Sequence, residues 1–269
     1  MRVAITGASG QVGTLLGQRL AAAGVEVTPL GRDEDWAAAI AGADAVAALA
    51  GTLQPARGES YRSANVETAA AVAAAARDGA VGRLAFLSYV GAAPDSANEY
   101  LRAKAEAEDL LVGSGAPTTI FRCLHIYGPP SRPGPTAAAF LVRGEGRVVV
   151  PGSGGQRIAP LYLGDVVAAL FGALTAAEPA SGRFELGGPE EMAIDEFVRA
   201  LNGGEARIRH LPGPVARLAA RLSPALTPAL IDLLLRDNVV AEDPAEIGSR
   251  FGFEPHRLAD VWPGRASRA

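Results

Sequence analysis

Lysine is almost missing from this sequence: Lys104 is the only one, and arginine supplies every other basic side chain. Cysteine is equally scarce. With Cys123 alone, no internal disulfide can form and no zinc cage can be built from thiolates. His125, His210 and His256 are scattered without metal-ligand spacing, so no metal site is expected. No apolar run reaches the roughly 18 residues that span a bilayer, which excludes a transmembrane segment. A net charge of −4 leaves no broad footprint for nucleic acid and no basic face for anionic membranes. The first strand begins almost at once at Val3, without a charged-then-apolar leader, so a cytoplasmic protein is expected. There is no internal repeat and no low-complexity linker.

What is present reads as a folded α/β protein. Hydrophobic residues make up 49% and charged ones 20%, and 269 residues can bury a substantial core. Short apolar runs alternate with amphipathic stretches, the pattern of a parallel sheet covered by helices. Strands are expected at Arg2–Thr6, Val25–Leu30, Ala45–Ala50, Leu84–Ser88 and Thr118–Leu124. Helices are expected at Gln11–Ala23, from Trp36 to Ile40, at Glu67–Arg77, and from a capping box at Ser96–Glu99 to about Val112. Gly128 to Pro135 reads as a proline-rich loop. Further on, Val148–Val150 and Phe184–Leu186 read as strands, and Asp165–Leu174 and Ile194–Leu201 as helices. Leu211 to Leu235 reads as apolar helices broken by prolines. The fold class that follows is a doubly wound parallel-sheet Rossmann fold with a smaller, interwoven C-terminal substrate domain. Its dinucleotide-binding part would take residues 1–128 and about 156–188, and its substrate part about 129–155 and 189–265.

The strongest feature is Thr6-Gly7-Ala8-Ser9-Gly10-Gln11-Val12-Gly13, set between a strand and an amphipathic helix. A tight glycine turn into a helix N-terminus offers free N–H groups and the positive end of the helix dipole to a pyrophosphate. Gly7 allows the turn, Gly10 lets the backbone approach the phosphates, and Gly13 lets helix and strand pack closely. Ser9, Gln11 and Val12 complete the candidate cradle. A second constellation is Tyr100 and Lys104, four apart and therefore on one helix face. A nearby ammonium is expected to lower the phenol's pKa and make it a usable acid/base.

Thr-Gly-x-x-Gly-x-x-Gly at this place resembles the extended form of the short-chain dehydrogenase/reductase family. Asn65-Val66 with Thr68, Tyr100-x-x-x-Lys104, Arg122 to Ile126-Tyr127-Gly128-Pro129, and Asp165-Val166-Val167 match its motifs in order. Phe184 to Glu190, with Leu233 to Val239, is most similar to the atypical branch named for the 39-kDa accessory subunit of respiratory complex I. The resemblance implies that Tyr100 is the catalytic acid/base and that Lys104 also holds the nicotinamide ribose. It implies a serine or threonine after the preceding strand. Ser88 is the candidate there, although the usual position falls near Val90. Ala50-Gly51 would let the backbone pass the cofactor, and Asn65 would be structural.

Arg32, after the second strand, suits a 2′-phosphate and favours NADP(H) over NAD(H), whereas Asp33 beside it would play the opposite role. Asp33 or Asp35 would contact the adenine end. Two functions follow as expectations. One is an NAD(P)H-dependent oxidoreductase or epimerase on a small carbonyl or sugar-like substrate. The other is a non-catalytic accessory or sensor protein that keeps its nucleotide. The apolar helices between 211 and 235 read as a substrate lid, or as a contact with a second copy or a docking partner.

Overall fold

The computed structural model describes residues 1–31, 34–56, 58–142, 146–223 and 226–263. Within them the chain forms two compact units. The first gathers Met1–Cys123, Val166–Glu185 and Ile247–Phe253; the second gathers Leu124–Asp165, Leu186–Glu246 and the segment from Glu254 onward. Residues 124–128 and 156–165, assigned on sequence to the first part, thus fall in the second unit.

In the first unit, β1 (Arg2–Thr6), β2 (Glu26–Leu30), β3 (Ala45–Ala48), β4 (Arg83–Tyr89) and β5 (Thr118–Cys123) build a sheet with the strand Gly182–Leu186. The order across it is Gly182–Leu186, β5, β4, β3, β1, β2. The pairings β2–β1, β1–β3, β3–β4 and β4–β5 are all parallel. Successive strands therefore leave β1 in opposite directions, which makes the end of β1 a topological switch point, the place where open α/β sheets bind ligands. A sheet covered on both faces has continuous apolar strands. Val3, Ala4, Ile5, Ala45, Val46 and Ala47 are accordingly fully buried.

The helices of this unit are α1 (Gln11–Ala22), α2 (Trp36–Ile40), α3 (Thr68–Asp78) and α4 (Glu99–Val112). Gly13, Leu16 and Leu20 form the buried stripe of α1. Burial of each leucine is worth about 1.5–3 kcal/mol. Alanine-rich α3 buries Ala69, Val72, Ala73, Ala75 and Ala76 in a core shared with Val46, Leu84, Phe86 and Ile120. One π-helical stretch, Arg62–Glu67, precedes α3 and carries the buried Asn65.

Three expectations are corrected here. The cap of α4 is Asn98, whose Oδ1 accepts from the Tyr100 and Leu101 amides, while the Ser96 hydroxyl only receives the Asn98 amide. Both are good N-cap residue types, and local spacing alone could not choose between them. In the second unit, the proline-rich segment is a loop only up to 133. Gly134–Phe140 is a helix with proline in its first turn, where the missing N–H costs nothing. Finally, Leu211 ends a strand rather than starting a helix: Arg207–Leu211 pairs in parallel with Arg147–Pro151. The helical stretches begin after it, at Gly213–Leu222 and Pro228–Leu234.

The second unit has its own core. Tyr127, Phe140, Val148, Val150, Phe197, Val198 and Ile231 are among its buried members.

Candidate functional site

The glycine loop follows directly from β1. The Thr6 hydroxyl accepts from the Leu49 and Ala50 amides at 3.1 and 3.2 Å, tying the end of β1 to the end of β3. Gly7 turns with φ +69°, and a Cβ there would stand 2.8 Å from the Leu49 carbonyl. The Gly10 amide donates to the Gly7 carbonyl at 3.0 Å, closing the turn. A Cβ on Gly13 would run into that same carbonyl oxygen. The α1 N-terminus has Gly10 at its cap, no side chain capping it and no acidic residue in its first turn. Ser9, Gly10 and Gln11 are exposed around it, and Val12 is half-buried. Such a terminus can accept an anionic diphosphate.

After β3 the chain passes through Ala50 and Gly51. Gly51 has φ +150°, and a Cβ on it would lie 2.7 Å from Asn65 Oδ1 and 3.6 Å from Lys104 Nζ. Asn65 holds the bend: its Oδ1 accepts from the Thr52 amide, and its Nδ2 donates to the Thr52 and Tyr61 carbonyls.

Helix α4 carries Tyr100 and Lys104, each only 6% exposed. The Lys104 ammonium lies 4.4 Å from the Phe86 ring centroid and 6.0 Å from that of Tyr100. No hydrogen bond joins the Tyr100 hydroxyl or the Lys104 ammonium to another described residue, and neither atom is among those sealed from solvent without a partner, so both polar tips reach an opening. Tyr61 and Tyr89 flank Tyr100, both with ring centroids at 5.8 Å. Burial pulls the lysine down to about 8, against a smaller upward pull from Cys123 and Glu108. The expected lowering of the Tyr100 pKa is overturned. Burial, with Tyr89, Cys123 and Tyr61 adding to it, pushes the phenol above its ordinary value, so it stays protonated.

Ser88 sits on β4, but its hydroxyl faces a different group. It donates to Glu108 Oε1 at 2.5 Å. The same carboxylate, 1% exposed, accepts from Arg122 Nε and Nη2 at 2.9 and 2.7 Å and from Arg183 Nε at 2.7 Å. Burial works to raise the Glu108 pKa. The bonds from Arg122, Ser88 and Arg183 outweigh it and hold the carboxylate below its ordinary range. This cluster was not seen in the sequence. Its acid and its two arginines lie apart in the chain, and the one local signal is the i to i+4 spacing of Lys104 and Glu108, which puts both on one helix face.

Other sequence candidates resolve as follows. Arg32 and Asp33 lie outside the described residues. Asp35 caps α2, accepting from the Ala38 amide at 3.2 Å, so its carboxylate is engaged locally. His210 pairs with Asp195, and His256 Nδ1 lies 2.6 Å from the buried Asp165. His125 is buried and pulled down to about 4 by burial, with Arg236 adding to it. Burial pushes the Cys123 thiol up to about 12, against a downward pull from Lys104, which makes it inert as a nucleophile. No group that could hold a metal ion occurs among the described residues, and no helix among them is long and apolar enough to cross a membrane.

A glycine turn into a helix N-terminus at the switch point of a parallel sheet defines an α/β protein of Rossmann type. The chain belongs to the NAD dependent epimerase/dehydratase family, whose model matches residues 3–187. Among curated proteins it is 31% identical over 195 residues to NADH dehydrogenase [ubiquinone] 1 alpha subcomplex subunit 9, mitochondrial, of Arabidopsis thaliana. That match takes in 70% of this chain and 48% of the relative, so the chain spans about half of the relative's length. Among solved structures, UDP-glucuronic acid 4-epimerase from Bacillus cereus has a TM-score of 0.75 at 17% identity, with 98% of this chain and 97% of that one covered. UDP-N-acetylglucosamine 4-epimerase from the same organism has a TM-score of 0.70 at 16% identity, with 97% and 96% covered. At these identities the likeness shows the fold.

Proposed function

We propose that this protein is an NAD(P)H-dependent oxidoreductase or epimerase acting on a small carbonyl or sugar-like substrate in the cytoplasm. The observation that carries the reading is the pair on α4: a buried ammonium and a buried phenol, one turn apart, neither hydrogen-bonded among the described residues. Their side chains are largely buried while neither polar tip is sealed from solvent, and Lys104 Nζ stands beside Gly51. Polar tips left open in this way fit a ligand that brings hydroxyl groups of its own.

The residues present fit a nicotinamide dinucleotide. Gly7, Ser9, Gly10, Gln11, Val12 and Gly13 would hold its pyrophosphate, and Ala50 and Gly51 leave room for it to pass. Lys104 Nζ would donate to ribose hydroxyls, which satisfies the amine and favours its charged form. Arg32 would favour NADP(H) through a 2′-phosphate. When bound, the nicotinamide exchanges a hydride with a substrate carbon. Tyr100 Oη, kept protonated by its buried setting, gives its proton to the substrate oxygen, and Lys104 stabilises the phenolate left behind. The family match ends at residue 187, and we assign substrate recognition to the second unit, which holds most of the chain beyond it.

A second reading is a nucleotide-binding accessory or sensor protein. Two observations favour it: the Ser88 hydroxyl is committed to Glu108, and the curated relative reported above is named as a subunit of an NADH dehydrogenase.

The deciding experiment identifies the nucleotide that copurifies and assays its turnover with a panel of carbonyl and sugar-nucleotide substrates. The enzyme reading expects turnover that Tyr100→Phe abolishes while nucleotide affinity stays within about twofold. Tight retention with no turnover on any substrate supports the accessory reading. Arg32→Ala should weaken NADP(H) far more than NAD(H); equal losses would overturn the cofactor preference.

A further inference from the structure

The helix Gly213–Leu222, in the second unit, buries only one narrow side, through Ala216 and Ala220. Its other side is apolar and open. Val215 is 49%, Leu218 57% and Leu222 80% exposed, and Leu226 beyond the helix is 38% exposed. At 100° per residue, Val215, Leu218 and Leu222 fall within one 60° arc, so they form a single ridge rather than scattered contacts. Arg221 flanks that ridge, 60° from Leu218, and makes no ion pair among the described residues. Arg217, one step further round, is paired with Asp232. The sequence around the ridge is one-sided in charge. Residues 206–231 contain Arg207, Arg209, Arg217 and Arg221 and no aspartate or glutamate, in a chain whose net charge is −4; Glu205 and Asp232 bound the stretch, and Asp232 answers Arg217, which leaves the excess on the other three arginines.

We propose that this helix is a peripheral docking element for an anionic lipid surface, with its leucines entering the headgroup–acyl boundary and its arginines on lipid phosphates. The charge pattern chooses the occupant. A second copy meeting this face across a two-fold axis would set the same excess of arginine on both sides of the contact, with no acid from residues 206–231 to answer it. An anionic bilayer complements both properties at once: it buries the ridge and neutralises the arginines, and long cationic side chains keep their heads in the interface while their stems stay apolar. The overall negative charge of the chain hid this. Summed charge says little about one helix that carries no acid.

The test is flotation of the full chain with vesicles of phosphatidylcholine alone or with 30 mol% phosphatidylglycerol (about physiological ionic strength and below). Binding is expected to the anionic vesicles only and to weaken with salt. Leu218→Asp and Leu222→Asp should each lower partitioning at least tenfold, and Arg221→Gln about fivefold. Circular dichroism and nucleotide binding of these surface variants should match the parent. The proposal is overturned if the parent fails to float with anionic vesicles at low salt, if the leucine variants float as well as the parent, or if light scattering shows a dimer that Leu222→Asp dissociates.

Discussion

The Ser88 hydroxyl and the Glu108 carboxylate are joined by a 2.5 Å hydrogen bond in the interior of the first unit, and Arg122 and Arg183 hold the same carboxylate from β5 and from Gly182–Leu186. Ser88 is therefore part of a clamp across one half of the sheet. Glu108→Ala should cost about 3 kcal/mol, the lower end for breaking a buried pair, because Arg183 stays half-exposed. Ser88→Ala removes one bond to a charged group and should cost about 1.5–3 kcal/mol. Urea unfolding measures both. A Ser88→Ala variant with unaltered stability but abolished turnover would return this serine to a catalytic role.

Gly13→Ala places a methyl group against the Gly7 carbonyl oxygen. Because the obstacle is backbone, the turn must shift. Nucleotide affinity is expected to fall at least tenfold, read by fluorescence titration with NADPH, with a stability loss of about 1–3 kcal/mol. Undiminished affinity would mean that the loop does not carry the phosphates.

Lys104 titrates near 8 in the fold and near 10.5 when free. Below pH 8 both states hold the proton and the slope is zero. Above it the unfolded chain binds more protons than the folded one, so stability rises with pH, by up to about 1.4 kcal/mol per unit. From about pH 9 the Cys123 thiol acts in the opposite sense, because the fold keeps it protonated towards 12. The clean window is therefore pH 8–9. Unfolding free energy should climb there in the parent and not in Lys104→Met; parallel profiles would show that the amine is not desolvated.

Asn98→Ala should cost about 1 kcal/mol, since two α4 amides lose their acceptor. Ser96→Ala should cost less, because its oxygen receives one amide outside the helix. Thermal denaturation ranks the two, and the reverse order would move the cap back to Ser96.

The glycine loop and α1 were legible because each depends on local rules: a strand, three glycines at fixed spacing, then an apolar stripe at Leu16 and Leu20. Tyr100 and Lys104 were legible as one face because a helix fixes that relation. Their ionisation was not. It depends on Phe86, Tyr61 and Tyr89, which the fold assembles from other elements. Glu108 with Arg122 and Arg183 escaped for the same reason. Arg207–Leu211 escaped differently: it is a short, half-exposed strand whose partner lies sixty residues earlier, and its alternation was masked by the prolines and leucines that follow it.

The solitary Lys104 has a consequence for anyone handling this protein. A reagent that seeks ε-amines meets one, on a side chain only 6% exposed, and reaches it through the same opening that would admit a ligand to its ammonium. Labelling of Lys104 therefore reports on that opening. Under the dinucleotide reading proposed above, a nucleotide resting on the amine should slow it, and a reagent too bulky for the opening should label only as α4 parts from its sheet.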